Sequence, residues 1–305
     1  MQKELEQVAS YATQIMKNKY MLTQNKLSLL KSIALVTLLG AFIISCKKEN
    51  SGGPQDPPNP PVIPPAPTVL LKEINIPNLP SPYYHFEYDA AAKPKFVSFA
   101  SDLTRYDIVY DNTGRLLELR NNIIVNKDTI RYFYDNEGRA VAINYIDMTG
   151  KVYVKLALTY EGKKLVFLER QRLAGSDFLI NKTLTFAYYA DGNLKELVDH
   201  RPAVNGQTES TSILRFEQYD DKTNVDAFEL LHNDFFDHLV LLPGVQLQKN
   251  NPIKENSTGF NSYSVEYTYT YNEKNEPLTK KGNVLFIGGP LTGQSYKTNE
   301  SYTYY

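Results

Sequence analysis

The sequence predicts a mainly β protein: a long antiparallel hairpin meander that curls into a roll or open barrel-like sheet, with one inserted α-helix. Three observations predict it. A short unit recurs, as in "YDNTGRLLEL" from Tyr110 and "YDNEGRAVAI" from Tyr134. Apolar and polar residues alternate with period two on both sides of that unit. The alternation stops once, over about 224–242, where the apolar spacing becomes helical.

The recurring tyrosines are read as Tyr110, Tyr134, Tyr160, Tyr189, Tyr219 and Tyr271. The first four gaps lie between 24 and 30 residues, and the last spans about two periods with an insertion. A period of this size marks one supersecondary unit copied along the chain. In each copy a strand such as Ile130, Tyr132, Tyr134 on one face and Arg131, Phe133 on the other runs into Asp/Asn and Gly, then into a second apolar run. That pattern is a hairpin, with Asp111 or Asp135 accepting turn amides and Gly114 or Gly138 supplying a positive φ. A calcium loop would need more alternating acidic ligands and a closing Glu than "DNTGRLLELRNN" offers. In "YSVEYTYTY", Tyr263, Val265, Tyr267, Tyr269 and Tyr271 share one face, while Ser264, Glu266, Thr268 and Thr270 share the other.

The interruption "NVDAFELLHNDFFDHLVLL" places Phe228, Leu231, Phe235, Leu239 and Leu242 at helical spacing. Asn224 is its expected cap and Pro243-Gly244 its stop. The helix carries His232, Asp234, Asp237 and His238. Asp234 and His238 share a face, but His232 points elsewhere, so the cluster reads as a polar helix face and no metal site is assigned. No G-x-S-x-G occurs, and "GGPLTG" near Gly288 lacks the Lys-Ser/Thr of a phosphate loop and reads as a hairpin bend. No catalytic residue and no cofactor are assigned.

The N-terminal part is organised differently. From Met21 the chain reads "MLTQNKLSLLKSIALVTLLGAFIISCKKEN", with Lys26 and Lys31 ahead of an apolar run from Ile33 to Ile44. This is the layout of a secretory signal, and the run is shorter than the ~20 residues of a membrane-spanning helix. Residues 1–20 stand upstream of that complete signal, so Met21 is the expected start and 1–20 a non-mature segment. Eight of the 17 prolines fall between Pro54 and Pro67. Residues 46–68 are therefore expected to form an extended tether, roughly 40 Å across its proline-rich part at ~3.1 Å per residue. The folded domain is assigned to 69–305. From residue 46 onward the chain carries 28 Lys/Arg and 32 Asp/Glu with no basic block, which gives nucleic acid no support as a partner. Cys46 is the single cysteine, so the domain folds without disulfides.

Ile43-Ile44-Ser45 before Cys46 resembles the lipobox of bacterial lipoproteins. The resemblance implies cleavage before Cys46, acylation of that cysteine and membrane attachment through the acyl chains. In Gram-negative lipoproteins an Asp after the cysteine favours inner-membrane retention. Lys47 stands there here, which implies the outer membrane and leaves the surface or periplasmic side open. The hairpin copies resemble the YD repeats of RHS and teneurin-type proteins. With the signal, the tether, "YDDKTN" and "LQKNNPIK", the chain resembles an uncharacterised family of YD-repeat-like envelope lipoproteins of Gram-negative bacteria. The motifs that carry this resemblance are structural and imply no activity.

The function expected is thus that of an outer-membrane-anchored lipoprotein with a non-catalytic binding or scaffold domain, with a glycan or a protein as candidate ligand. The alternatives are a periplasm-facing structural partner of an envelope assembly and an envelope glycoside hydrolase with paired carboxylates. Charged and polar strands argue against an integral barrel, whose lipid-facing band is consistently apolar.

Overall fold

Period-two alternation becomes strand throughout the repeat region. The computed structural model describes residues 69–123, 127–204, 206–225, 240–259 and 262–305. Among them the chain forms β1 (Leu71–Asn75), β2 (Tyr84–Tyr88), β3 (Pro94–Phe99), β4 (Thr104–Tyr110), β5 (Leu116–Asn121) and β6 (Thr129–Tyr134). There follow β7 (Ala140–Ile146), β8 (Val152–Glu161), β9 (Lys164–Ala174), β10 (Asp177–Tyr188), β11 (Leu194–Arg201) and β12 (Ser210–Thr223). The last four are β13 (Asn250–Thr258), β14 (Tyr263–Tyr271), β15 (Pro277–Phe286) and β16 (Ser295–Tyr304).

Each strand pairs antiparallel with its sequence neighbours, and β1 pairs with β16 through Leu71↔Tyr304, Ile74↔Tyr302 and Asn75↔Ser301. The sheet is therefore a closed barrel, which corrects the expectation of a roll or open sheet. The short segment Leu71–Asn75, directly after the proline run, is the strand that makes the difference. Pairing it with the C-terminal strand removes both exposed edges, a strong reason for a long meander to close.

The hairpin turns between even- and odd-numbered strands lie at one rim, together with Leu70 and Tyr305, whose amide donates to the Leu70 carbonyl (3.1 Å). This is the near rim, and the chain enters the barrel there. Asp111 sets the turn pattern: its Oδ1 accepts the amides of Thr113 and Arg115, both at 2.9 Å, while Gly114 holds φ at 81°. Asp135 repeats it with Glu137 and Arg139, and Asn272 with Lys274 and Glu276. The turn reading of the D-N-x-G motif is thus the observed one.

The tyrosine before each near-rim turn has its own task. Its ring points inward, and its hydroxyl donates to a carbonyl at the start of the preceding odd-numbered strand. Tyr88 bonds Leu71, Tyr110 bonds Pro94, Tyr134 bonds Leu116 and Tyr160 bonds Ala140. Tyr188 bonds Leu165, Tyr219 bonds Leu194, Tyr269 bonds Pro252 and Tyr304 bonds Pro277, so every even-numbered strand carries one such stitch. The repeat is therefore eightfold. Its true anchors include Tyr88 and Tyr304, with Tyr188 and Tyr269 in place of Tyr189 and Tyr271. The cation closing a turn then covers the next stitching ring: Lys93 over Tyr110, Arg115 over Tyr134, Arg139 over Tyr160 and Lys164 over Tyr188.

A ring of sixteen strands is wide enough to leave an aqueous channel. Here much of it is filled. Inward Leu119, Ile130, Ile143, Leu165 and Leu168 are fully buried in one core cluster. Ahead of β13, residues 240–247 enter that cluster as a plug, with Val240, Leu241, Leu242, Val245 and Leu247 all buried. Asn193 fixes the exit of the plug, its Oδ1 accepting the amides of Lys249 and Asn250 at 2.8 and 3.0 Å. Most of the helix expected over 224–242, residues 226–239, lies outside the described residues. At its expected C-terminal end Val240–Leu242 are not helical, and the amide of Asn224 bonds the Lys249 carbonyl (2.9 Å). Those three residues are drawn into the barrel core, where burial favours them without helical pairing.

The outward face carries charge pairs, with single exposed apolar side chains such as Phe133 and Leu285 among them. Glu118 receives Arg120 and Arg131, Arg215 meets Glu196, and Lys254 meets Glu217. Strands β1–β7 are only five to seven residues long, whereas a membrane-spanning strand needs ~9–11 with an apolar outer band.

Candidate functional site

The core cluster draws on β1–β12, and from β13–β16 it gains only the partly buried Tyr302 and Tyr304. The inner wall of β13–β16 instead sets polar and aromatic residues around one buried aliphatic pair: the residues alternating inward there are Glu255, the tyrosines of β14 with Val265, Lys280, Gly282, Val284, Phe286, Tyr296, Thr298 and Glu300. Register fixes the arrangement: Glu255↔Val265, Tyr267↔Gly282, Tyr269↔Lys280, Lys280↔Glu300 and Val284↔Tyr296.

Glu255 lies at the centre of this wall. Tyr263 donates to its Oε1 at 2.7 Å and Tyr267 to its Oε2 at 3.3 Å. Burial pushes the Glu255 carboxyl above its ordinary range, against the opposing pull of the two phenols and Lys280. Lys280 lies 4.4 Å from the Tyr267 ring centroid and 3.6 Å from Glu300, which also accepts Tyr302 at 2.7 Å. A Cβ on Gly282 would stand 2.7 Å from Thr298 Oγ1 and 2.9 Å from the Tyr267 ring, so only glycine lets Tyr267 lie flat on β15.

Toward the far rim the wall opens to water. Tyr263, Phe286 and Tyr296 form a row on β14, β15 and β16, with ring centroids 6.3 and 5.9 Å apart. Tyr296 keeps 53% of its surface although it shares the inward face. Ser210 and Ser212 of β12, on the face of Leu214 and Phe216, are exposed as well. Beside them Asp199 receives Lys182 at 3.0 Å and Arg201 at 3.1 Å. The arrangement offers ring faces, hydroxyls and internally paired charges, which is the equipment for binding a polar molecule.

Tyr267 and Tyr269, expected from sequence to share one strand face, belong to this wall. Burial raises both phenols, and neither ring is an external platform. Tyr271 bonds Asp220. Glu255, Lys280, Phe286, Tyr296 and Glu300 escaped the sequence reading. Their signal was the inward alternation of "PIKEN", "TKKGNVLF" and "YKTNESYTY", which is hard to read because polar residues fall on both faces of those strands. Cys46 and the His232, Asp234, Asp237, His238 cluster lie outside the described residues. Among the described residues no three His, Cys, Asp or Glu side chains converge as a metal site. A shallow depression of about 300 Å³ at the near rim is lined by Leu70, Glu87, Tyr88, Asp89, Lys95 and Tyr305. Tyr88 packs edge-on against Tyr305, and Lys72 sits over the same ring.

By sequence the chain matches no protein-family model and no curated protein. By structure it is similar to a porin-like protein from Bacteroides uniformis, with TM-score 0.56 and 13% identity over 81% of this chain and all of that one. A porin-like protein from Bacteroides vulgatus is similar at TM-score 0.50 and 14% identity, over 77% of this chain and 99% of the other. These likenesses establish a shared barrel fold.

Proposed function

We propose that this protein is a lipid-anchored, non-catalytic binding module of the outer membrane, a water-standing barrel held on a tether by acylated Cys46. The observation that carries the reading is that eight of the strands are shorter than the ~9 residues a bilayer-spanning strand needs, with charge pairs such as Glu118–Arg131 and Glu196–Arg215 on the outward face. Such a barrel reaches a membrane through something else, and the signal, Cys46 and the proline run supply it. The described chain enters the barrel at the near rim, among the D-N-x-G turns, directly after the proline run. The porin-like description belongs to the similar proteins. Transport is not carried over, because the plug and the apolar cluster occupy the channel here.

Fractionation of cells expressing the full chain tests the anchor. Wild-type protein is expected in the membrane fraction with an acylated N-terminal peptide by mass spectrometry, and Cys46→Ala in the soluble fraction. A Cys46→Ala protein that stays in membranes through alkaline carbonate washing would show that the barrel itself is embedded.

A further inference from the structure

We propose that the open inner wall of β12–β16 binds a neutral oligosaccharide at the far rim, with Phe286 and Tyr296 as the stacking pair and Tyr263 edge-on beside them. The proposal rests on the binding-module reading and gives that module its ligand class. Three properties of the wall select the ligand.

The first is the aromatic row. Its rings succeed one another at 6.3 and 5.9 Å across strands about 4.8 Å apart, a spacing comparable with the repeat of a pyranose chain. The apolar faces of sugar rings stack on Phe286 and Tyr296, whose planes lie 38° apart, and the Tyr296 hydroxyl can share bonds with sugar hydroxyls, while Tyr263 stands edge-on with its hydroxyl held by Glu255. The second is charge. Lys182 and Arg201 meet on Asp199, Lys280 meets Glu300, and Glu255 is held between two phenols. With its charges already paired in place, the wall has little left for a phosphate or a polyanion and suits an uncharged polyol. The third is shape and wetness. The row lies on the concave side of a closed sheet, where a flat protein surface cannot reach, and Thr298 on β16 with exposed Ser210 and Ser212 on β12 supply hydroxyls to the same wall where an acyl chain would want apolar contact. The plug reaches Leu194 and the near-rim side, since Leu247 accepts the Leu194 amide at 2.8 Å.

The test is isothermal calorimetry on the full chain in mild detergent, titrated separately with maltoheptaose, laminarihexaose, xylohexaose and mannohexaose. At least one is expected to bind, with affinity falling about tenfold or more in Tyr296→Ala and Phe286→Ala. Leu285→Ala, the outward neighbour on the same strand, should bind as wild type does. Tyr296→Ala should also keep its melting temperature, because that ring is half exposed. No heat with any of the four, or binding that survives both aromatic variants, overturns the site. A null titration beside Cys46-dependent membrane attachment removes the oligosaccharide site alone. Attachment that survives Cys46→Ala removes the anchored reading, whatever the titration gives.

Discussion

Two walls of one barrel are built from the same unit and do opposite things with their inner faces. On β5–β9, Leu119, Ile130, Ile143, Leu165 and Leu168 close the lumen to water with the help of the plug. On β13–β16 the same inward positions hold Glu255, Lys280, Thr298 and Glu300 among tyrosines, with Val265 and Val284 the one buried aliphatic pair between them. The turn and the tyrosine stitch are common to both: Tyr134 bonds Leu116 on the filled wall, and Tyr269 bonds Pro252 on the open one. The repeat thus specifies the frame, and the residues between stitches decide whether the frame is packed or left open.

The comparison breaks first at a filled position. Leu168→Ala should cost about 2–5 kcal/mol through lost burial and a cavity the closed ring cannot collapse. A melting temperature lower by on the order of 10 °C would show it. Tyr296→Ala on the open wall should stay within about 0.5 kcal/mol. Equal losses at the two sites would mean that both walls are core.

A smaller effect probes how tightly the open wall is assembled behind its wet surface. Gly282→Ala places a methyl 2.7 Å from Thr298 Oγ1 and 2.9 Å from the Tyr267 ring. Overpacking of this kind costs about 1–3 kcal/mol. Urea unfolding should report it, and a neutral result would mean that Tyr267 is free to swing away. Smaller again is removal of a stitch. Tyr134→Phe loses one hydrogen bond and strands the Leu116 carbonyl, about 1–2 kcal/mol. Tyr269→Phe should cost the same. A loss at Tyr134 with none at Tyr269 would confine the stitch to the filled wall.

Much of the frame was legible in the sequence, because turns and alternation are local. Asp111, Gly114 and the alternating faces of β6 and β14 are where simple sterics put them. Closure was not legible. It depends on Leu71–Asn75 meeting Tyr304 across the whole chain, and five residues after a proline run carry little local signal. The tyrosine register slipped at Tyr188/Tyr189 and Tyr269/Tyr271 because neighbouring tyrosines look alike until a hydroxyl finds its carbonyl. Tyr189 reaches Phe216 instead. The open wall was hidden for a related reason: alternation shows which residues share a face, but a face of Tyr, Lys, Thr and Glu does not say whether it points inward.

The shared turn and the open wall should also differ in the sign of their response to pH. Asp111, in the β4–β5 turn, is held at about 2: burial works against this, but hydrogen bonds from Thr113 and Arg115 outweigh it. A carboxyl lowered in the folded state adds stability that is present above its unfolded value of about 3.9 and is lost as pH falls toward the folded one. The deficit of Asp111→Asn relative to wild type should therefore shrink from pH 6 down to pH 2.5. Glu255 is raised, chiefly by burial, so its contribution is full below the unfolded glutamate range and is lost as pH climbs through the folded value. Glu255→Gln keeps the hydrogen-bonding shape without the charge, and it should gain on wild type as pH rises. Chemical unfolding of both variants across this range would show one gap closing with acid and the other opening with base. Parallel curves for Glu255→Gln and wild type would mean that its carboxyl meets water freely and that the wall is open to its floor.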